Sequence, residues 1–552
     1  MKHFFLALIC IVLFISCEPE KAEVVPNSVS FTYSDEVPFF KVDFANSDKA
    51  IYTIKNIPGK DVFLVKANKS TSTPVGSSKT GEVSSLASAK SIHTNTTSPA
   101  KITRIDHKGA MKFSANPPEI NQRLLKNRSI IDNKSETVTY GSSTYSIDQP
   151  KYFWVEKETG VYEQISASLK GLGQFCYIWV ADENFADATG GAKINQEVVD
   201  QLVAKFDGTS EKSWLDGIYT MVTNVFGTEF GGGESGDGGR DGDQHISFLV
   251  YDIDYDYNAS QDSGTLGFFY AKDYWTQDEL NASEYSYIKT NNAEMLYLDA
   301  FFLYTYPDML ISTLAHELQH LIHYNRKKIE SLKNSSIWFN EMCAMVCEDL
   351  LAEKLGMSDE NSPFRWFPEF NSNYYRSGVN DWIDDNQRYS YASSYTFGAF
   401  LLRNYGGAEL FKYIMANNTV DIGAILDGVK SYKFANPEET AIIDNFDDIF
   451  EKYLHSIIYE DPAGFTLNKD HTTDVIPGVI YHVPPANIWN FSQKPPSGIM
   501  GPELLSPSTQ VELRPLGFSI HSDNKWSDVS GDLTIQITKS DDPSLFYYVM
   551  VK

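Results

Sequence analysis

Residues 307–323 read Pro-Asp-Met-Leu-Ile-Ser-Thr-Leu-Ala-His-Glu-Leu-Gln-His-Leu-Ile-His. Pro307 and Asp308 open a helix, because proline is at home in the first helical turn. Residues four apart on a helix lie on one face, so His316 and His320 can present two imidazoles to a single zinc ion. Glu317 is turned by about 100° from His316. Its carboxylate therefore falls beside an open coordination position rather than on the metal. Leu314, Leu318 and Leu321 form an apolar flank that packs the helix inward.

Downstream, a second helix begins near Ser336 and reads Ile337-Trp338-Phe339-Asn340-Glu341-Met342-Cys343-Ala344, with Glu341 placed 21 positions after His320. A short connection folds two such helices antiparallel, which lets Glu341 reach the same metal. The pairing of His-Glu-x-x-His with Trp-Phe-Asn-Glu resembles the gluzincin metallopeptidases, and more narrowly the hyicolysin family of secreted bacterial peptidases. The resemblance is specific over about 295–410. It implies an α+β fold with a mixed β-sheet and active-site helices, zinc held by His316, His320 and Glu341, and Glu317 as general base and later proton donor. A helix around Tyr391–Leu402 is similar to the Tyr-x-x-Gly helix of aminopeptidase-type gluzincins. That implies Tyr395, or Tyr391 one turn earlier, as the group steadying the oxyanion. Asn292–Asp299 reads as the sheet-edge strand that would hydrogen-bond an extended substrate. Met342 departs from the glycine usual in these enzymes, a difference that bears on substrate fit.

Zinc-binding histidines commonly donate their second ring nitrogen to a carboxylate. Glu348, seven residues after Glu341, returns to the same helical face and is the candidate, with Asp349 its rival. A metzincin arrangement fails, because it needs glycine at 323 and histidine at 326 where this chain has His323 and Arg326. His323 reads as a helix-end hydrogen-bonding group, and Cys343 and Cys347 as buried small hydrophobes.

At the start of the chain, Lys2 and His3 precede an apolar run from Phe4 to Ile15. Those twelve residues would cover about 18 Å as a helix, short of the ~30 Å hydrocarbon core, so they read as a signal segment. Leu13-Phe14-Ile15-Ser16-Cys17 resembles a loose bacterial lipobox, which implies a lipid anchor on Cys17; a plain secretory signal is the other reading. The expected organisation is a lipoprotein signal peptide over 1–16, an anchor and small β-rich region over 17–66 and a Ser/Thr-rich flexible linker over 67–146. A zinc metallopeptidase domain follows over 147–460, then a C-terminal β-sandwich-like domain over 461–552, with Val511–Leu513 among its strands. The Gly/Asp-rich stretch 231–243 reads as a mobile loop, with calcium binding as the sharper alternative.

The 552 residues are 42% hydrophobic and 14% aromatic, which excludes wholesale disorder, collagen and coiled coil. A net charge of −27 repels phosphate backbones and argues against a nucleic-acid partner. Five cysteines are too few for a disulfide framework in so long a chain. The reading is a zinc-dependent endopeptidase acting on polypeptides at the cell envelope, anchored through Cys17 or otherwise secreted. The alternative is a lipid-anchored adhesin or binding protein that retains a peptidase-like fold.

Overall fold

Strands from the two flanks of the described chain pair with one another. From the N-terminal flank come β1 (Asn27–Thr32), β2 (Phe39–Lys41), β3 (Lys49–Lys55), β4 (Val62–Asn68) and β5 (Val83–Ser85). The C-terminal flank contributes β16 (Phe518–His521), β17 (Leu533–Thr538) and β18 (Leu545–Val551). Together they form two four-stranded sheets, ordered β1-β3-β17-β5 and β16-β4-β18-β2. Strands of the 17–66 region and of the 461–552 domain, expected from sequence to be separate, thus share one sandwich: Ile535 lies opposite Tyr52, and Val549 opposite Leu64. The physical reason is coverage. The alternating residues Ala50, Tyr52 and Ile54 of β3 find their apolar neighbours in Ile535 and Ile537 of β17, and neither flank has enough strands to bury that face alone.

The computed structural model describes residues 26–34, 39–85, 103–104, 144–158, 160–186, 194–208, 216–233, 236–253, 263–435, 443, 445–476, 478–490, 500–523 and 526–552. The signal segment and Cys17 lie outside the described residues, as does most of the stretch expected to be a linker. Its first part is ordered: Val75, Thr80 and Val83 are buried, and β5 pairs with β17. Val511–Leu513 is not a strand; Leu513 makes a single bridge to Val75.

Every residue of β4 is buried, because its two faces belong to different cores. Val62 and Leu64 face the sandwich interior with Val549 and Val551. Phe63, Val65 and Ala67 face the other way, joining Tyr548 and Met550 in the core of the large central unit. Burial on both sides welds the sandwich to the rest of the molecule.

The central unit holds a mixed six-stranded sheet ordered β12-β13-β10-β9-β8-β7. Its strands are β7 (Pro150–Glu158), β8 (Val161–Leu172), β9 (Cys176–Ala181), β10 (Ile246–Tyr251), β12 (Gly267–Phe269) and β13 (Met295–Asp299). Two small ribbons pair β6 (Thr103–Arg104) with β11 (Ser263–Gly264), and β14 (His471–Ile476) with β15 (Val479–Val483). β9, β10 and β13 run parallel and are buried throughout, as strands covered on both faces must be. β13 is therefore interior, not the edge expected for 292–299. The edge is β12, three residues antiparallel to β13.

Helices α1 (Gln196–Asp207) and α2 (Ile218–Phe226) lie between the sheet and the rest, with α1 packed on β8 and β9. α3 (Pro307–His323) packs on β12 and β13, and against α4 (Ile337–Ala352), which in turn packs on α5 (Gln387–Asn404). α3 is buried from Met309 through His323, deeper than a one-sided flank requires. It runs on into a π-helical segment, Tyr324–Glu330. The result is an α+β molecule whose helix layer holds the histidine pair over the sheet edge. Among the described residues, no helix is long and apolar enough to cross a membrane.

Candidate active site

α3 and α4 bring His316, His320 and Glu341 together. One ligand atom from each lies within 4.8 Å of the others, and among the described residues no other group of three potential ligands converges in this way. His316 Nε2 is 3.3 Å from Glu341 Oε2, and His320 Nε2 is 3.5 Å from Glu341 Oε1. The two imidazole rings stand nearly perpendicular, 4.5 Å apart.

The far side of each ring sets its tautomer. His316 Nδ1 donates to Glu348 Oε1 at 2.7 Å, and His320 Nδ1 donates to Asn340 Oδ1 at 3.1 Å. With the Nδ1 protons committed there, both Nε2 lone pairs face Glu341. Glu341 Oε2 is buried without a hydrogen-bond donor, an arrangement that is costly unless a cation balances it. Two neutral imidazoles and one carboxylate, with a fourth direction open, are the donor set of a hydrolytic zinc site, so these residues fit the metal.

Glu348 is itself held from three sides. Besides His316, Ser312 Oγ donates to its Oε2 at 2.8 Å and Arg365 Nη2 donates to the same oxygen at 3.0 Å. Asp349, the rival candidate, turns away: its carboxylate accepts from Arg403 at 2.8 and 3.2 Å. Neither Asn340 nor Arg365 received a role from the sequence. Asn340 had a signal, since it directly precedes Glu341 in the motif; Arg365 had none.

Glu317 stands outside the three-ligand group and faces the sheet edge. Its Oε2 accepts the backbone N–H of Phe269, in β12, at 2.9 Å. That bond fixes the carboxylate against the edge strand, along which an extended chain could lie.

Tyr395 is fully buried, and its hydroxyl donates to Asp349 Oδ2 at 3.1 Å. Burial, and then the Asp349 charge, push its phenol well above the usual range. The structure thus gives Tyr395 a place in an Asp349–Arg403 network rather than an approach to the cluster. Tyr391 stacks on Trp366, with ring centroids 5.1 Å apart. Met342 is buried against Gly398 of α5, where a Cβ would come within 2.9 Å of its side chain. The extra bulk at 342 is taken up by that close helix approach.

His323 and Ser335 hydrogen-bond at 2.7 Å, and Cys343 and Cys347 are buried free thiols. In the described part of the 231–243 loop, the segment 236–243 packs against Glu294. Arg240 N–H donates to both carboxylate oxygens of buried Glu294, an approach allowed because Gly239 has φ +64° and no Cβ. Tyr219 donates to Glu229 at 2.9 Å, and burial pushes Glu229 up to about 7. Among the described residues, the carboxylates of this loop do not converge on a common point.

Comparison with known proteins bears on the whole of this region. The family model described as Peptidase M30 matches residues 157–479, which run from the end of β7 to the first residue of β15. The chain is also 27% identical over 286 residues to the Neutral metalloprotease ShpI of Staphylococcus hyicus. That match covers 49% of this chain and 54% of the relative, so the chain spans about half the length of the curated protein it resembles. Since the family match takes in the sheet edge, both cluster helices and every ligand candidate, the chain belongs to the Peptidase M30 family.

Proposed function

We propose that this chain is a zinc-dependent endopeptidase of gluzincin type, acting on extracellular polypeptides from a lipid anchor at Cys17. The observation that carries the reading is the convergence of His316, His320 and Glu341, with Glu317, next to His316 on the same helix, bonded to the edge strand. Zinc bound to those three residues would supply Lewis acidity, lowering the pKa of water toward ~7 and polarising a peptide carbonyl.

The chain's own residues do the rest. Glu348 and Asn340 hold the imidazoles in the tautomer that leaves Nε2 free to bind metal. Glu317 takes the proton from the attacking water and returns it to the departing amine. β12 offers a sheet edge for strand addition by the substrate, which orients the scissile bond above Glu317.

The purified protein is expected to contain about one zinc per chain and to cleave an unstructured protein such as casein. A chelator should abolish cleavage, and added zinc should restore it. A zinc-loaded protein that cuts neither casein nor a broad peptide library would overturn the enzyme reading in favour of surface binding. The anchor rests on Leu13–Cys17 alone. Full-length protein should partition into the detergent phase of a Triton X-114 separation, and Cys17→Ala should move it to the aqueous phase; equal partitioning of the two would remove the anchor.

A further inference from the structure

A small, open cleft lies directly beside the metal cluster. Asn340 and Glu341 form one wall, and Phe269 of the edge strand another. The remaining wall carries Lys327, Lys328 and Lys333. Three lysines against a single carboxylate, itself a metal-ligand candidate, make a local positive field in a chain of net charge −27.

The backbone explains why the lysines gather here. Beyond His323 the helix becomes π-helical over Tyr324–Glu330. Closing hydrogen bonds at i+5 widens each turn, so both the fourth and the fifth residue return to the starting face. Lys327 and Lys328 therefore share the face of His323, which a regular α-helix would not allow for both. π-segments of this kind are frequent at functional sites.

The lysines differ in task. Lys327 is buried, and its ammonium donates to Ile414 O at 2.7 Å and Asn417 O at 2.8 Å, fastening the π-segment to the end of the helix Ala408–Ala416. Lys333 is exposed, and Lys328 is half-buried, with its Nζ donating to the side chain of exposed Asn334 at 2.6 Å. These two heads are placed to meet a ligand. The other polar lining is uncharged: burial holds the His323 imidazole well below its usual range, and it hydrogen-bonds Ser335.

We propose that this cleft is a specificity pocket for a substrate carboxylate next to the scissile bond, read by Lys328 and Lys333. The proposal rests on the peptidase reading above and names its substrate class: acidic peptides. The carboxylate can come from an Asp or Glu side chain or from the peptide's own C-terminus, and the test separates the two.

Peptide pairs differing only by Glu or Gln at each position around the cut, all C-terminally amidated, are compared with pairs differing only by a free or amidated C-terminus. Cleavage by wild-type protein should favour one acidic member by about tenfold in kcat/KM, the worth of two partly exposed charge contacts. Raising the salt should shrink the ratio. Lys328→Glu with Lys333→Glu should bring it to one or invert it, with zinc content unchanged. The same pairs are titrated by calorimetry into the Glu317→Gln protein, where binding is read without turnover. Absence of any cleavage by zinc-loaded wild type would sink the peptidase reading. Equal binding of Glu and Gln, and of acid and amide, would sink the pocket.

Discussion

Glu317→Gln is expected to lower kcat by about 10²–10⁴-fold while the protein keeps its zinc and its fold. The argument is geometric. Glu317 is not among the three converging ligands, so its replacement leaves the donor set intact. Among its partners is a backbone donor, Phe269 N–H at 2.9 Å, and a glutamine oxygen can accept that bond as a carboxylate does. The swap is nearly isosteric in a buried position, which removes packing as an explanation. The lost property is proton affinity, since an amide cannot take a proton from water at neutral pH. Zinc content by metal analysis and peptide cleavage by chromatography read the two effects separately. Wild-type turnover in the variant would remove Glu317 from the chemistry. Loss of zinc would instead make it a ligand.

The parts of this site that depend on local spacing were legible in the sequence. His316 and His320 share a face because they are four apart, and Glu348 returns to the Glu341 face because it is seven beyond it. The α3 boundaries, Pro307 to His323, follow from a proline start and an unbroken periodic run. What escaped depends on distance along the chain. Thr53 of β3 and Thr534 of β17 touch at 3.1 Å as neighbours in one sheet, yet they are 481 residues apart. Nothing in either flank names the other as its partner, so the flanks read as two domains. The edge strand escaped for a different reason: Gly267–Phe269 has three residues, too few for alternation to register, while Met295–Asp299 is a far stronger strand signal one position inward. The π-segment leaves no mark in hydrophobic periodicity. Arg365 reaches Glu348 from a separate turn, 17 residues away.

Arg403 belongs to the same class of long-range partner, and its removal is expected to have the largest effect on stability. Its guanidinium is fully buried and forks onto both oxygens of Asp349, 54 residues earlier on α4. It also donates to Pro484 O at 3.0 Å, tying α5 to the segment after β15. Tyr395 completes the network by donating to the same carboxylate. Arg403→Met keeps much of the apolar stem but strands a buried carboxylate, which costs about 3–5 kcal/mol. The urea midpoint should fall accordingly. Pairing it with Asp349→Asn should recover part of the loss, because the charge left without a partner is then gone. Tyr395→Phe deletes one hydrogen bond to a charged group and should cost about 1.5–3 kcal/mol, with kcat little changed. That comparison decides what the tyrosine does. An oxyanion-stabilising hydroxyl would show a ~10²–10³-fold loss in kcat with stability nearly intact. A hydroxyl whose work is to satisfy Asp349 shows the reverse, and the 3.1 Å bond inside a fully buried network argues for the second pattern.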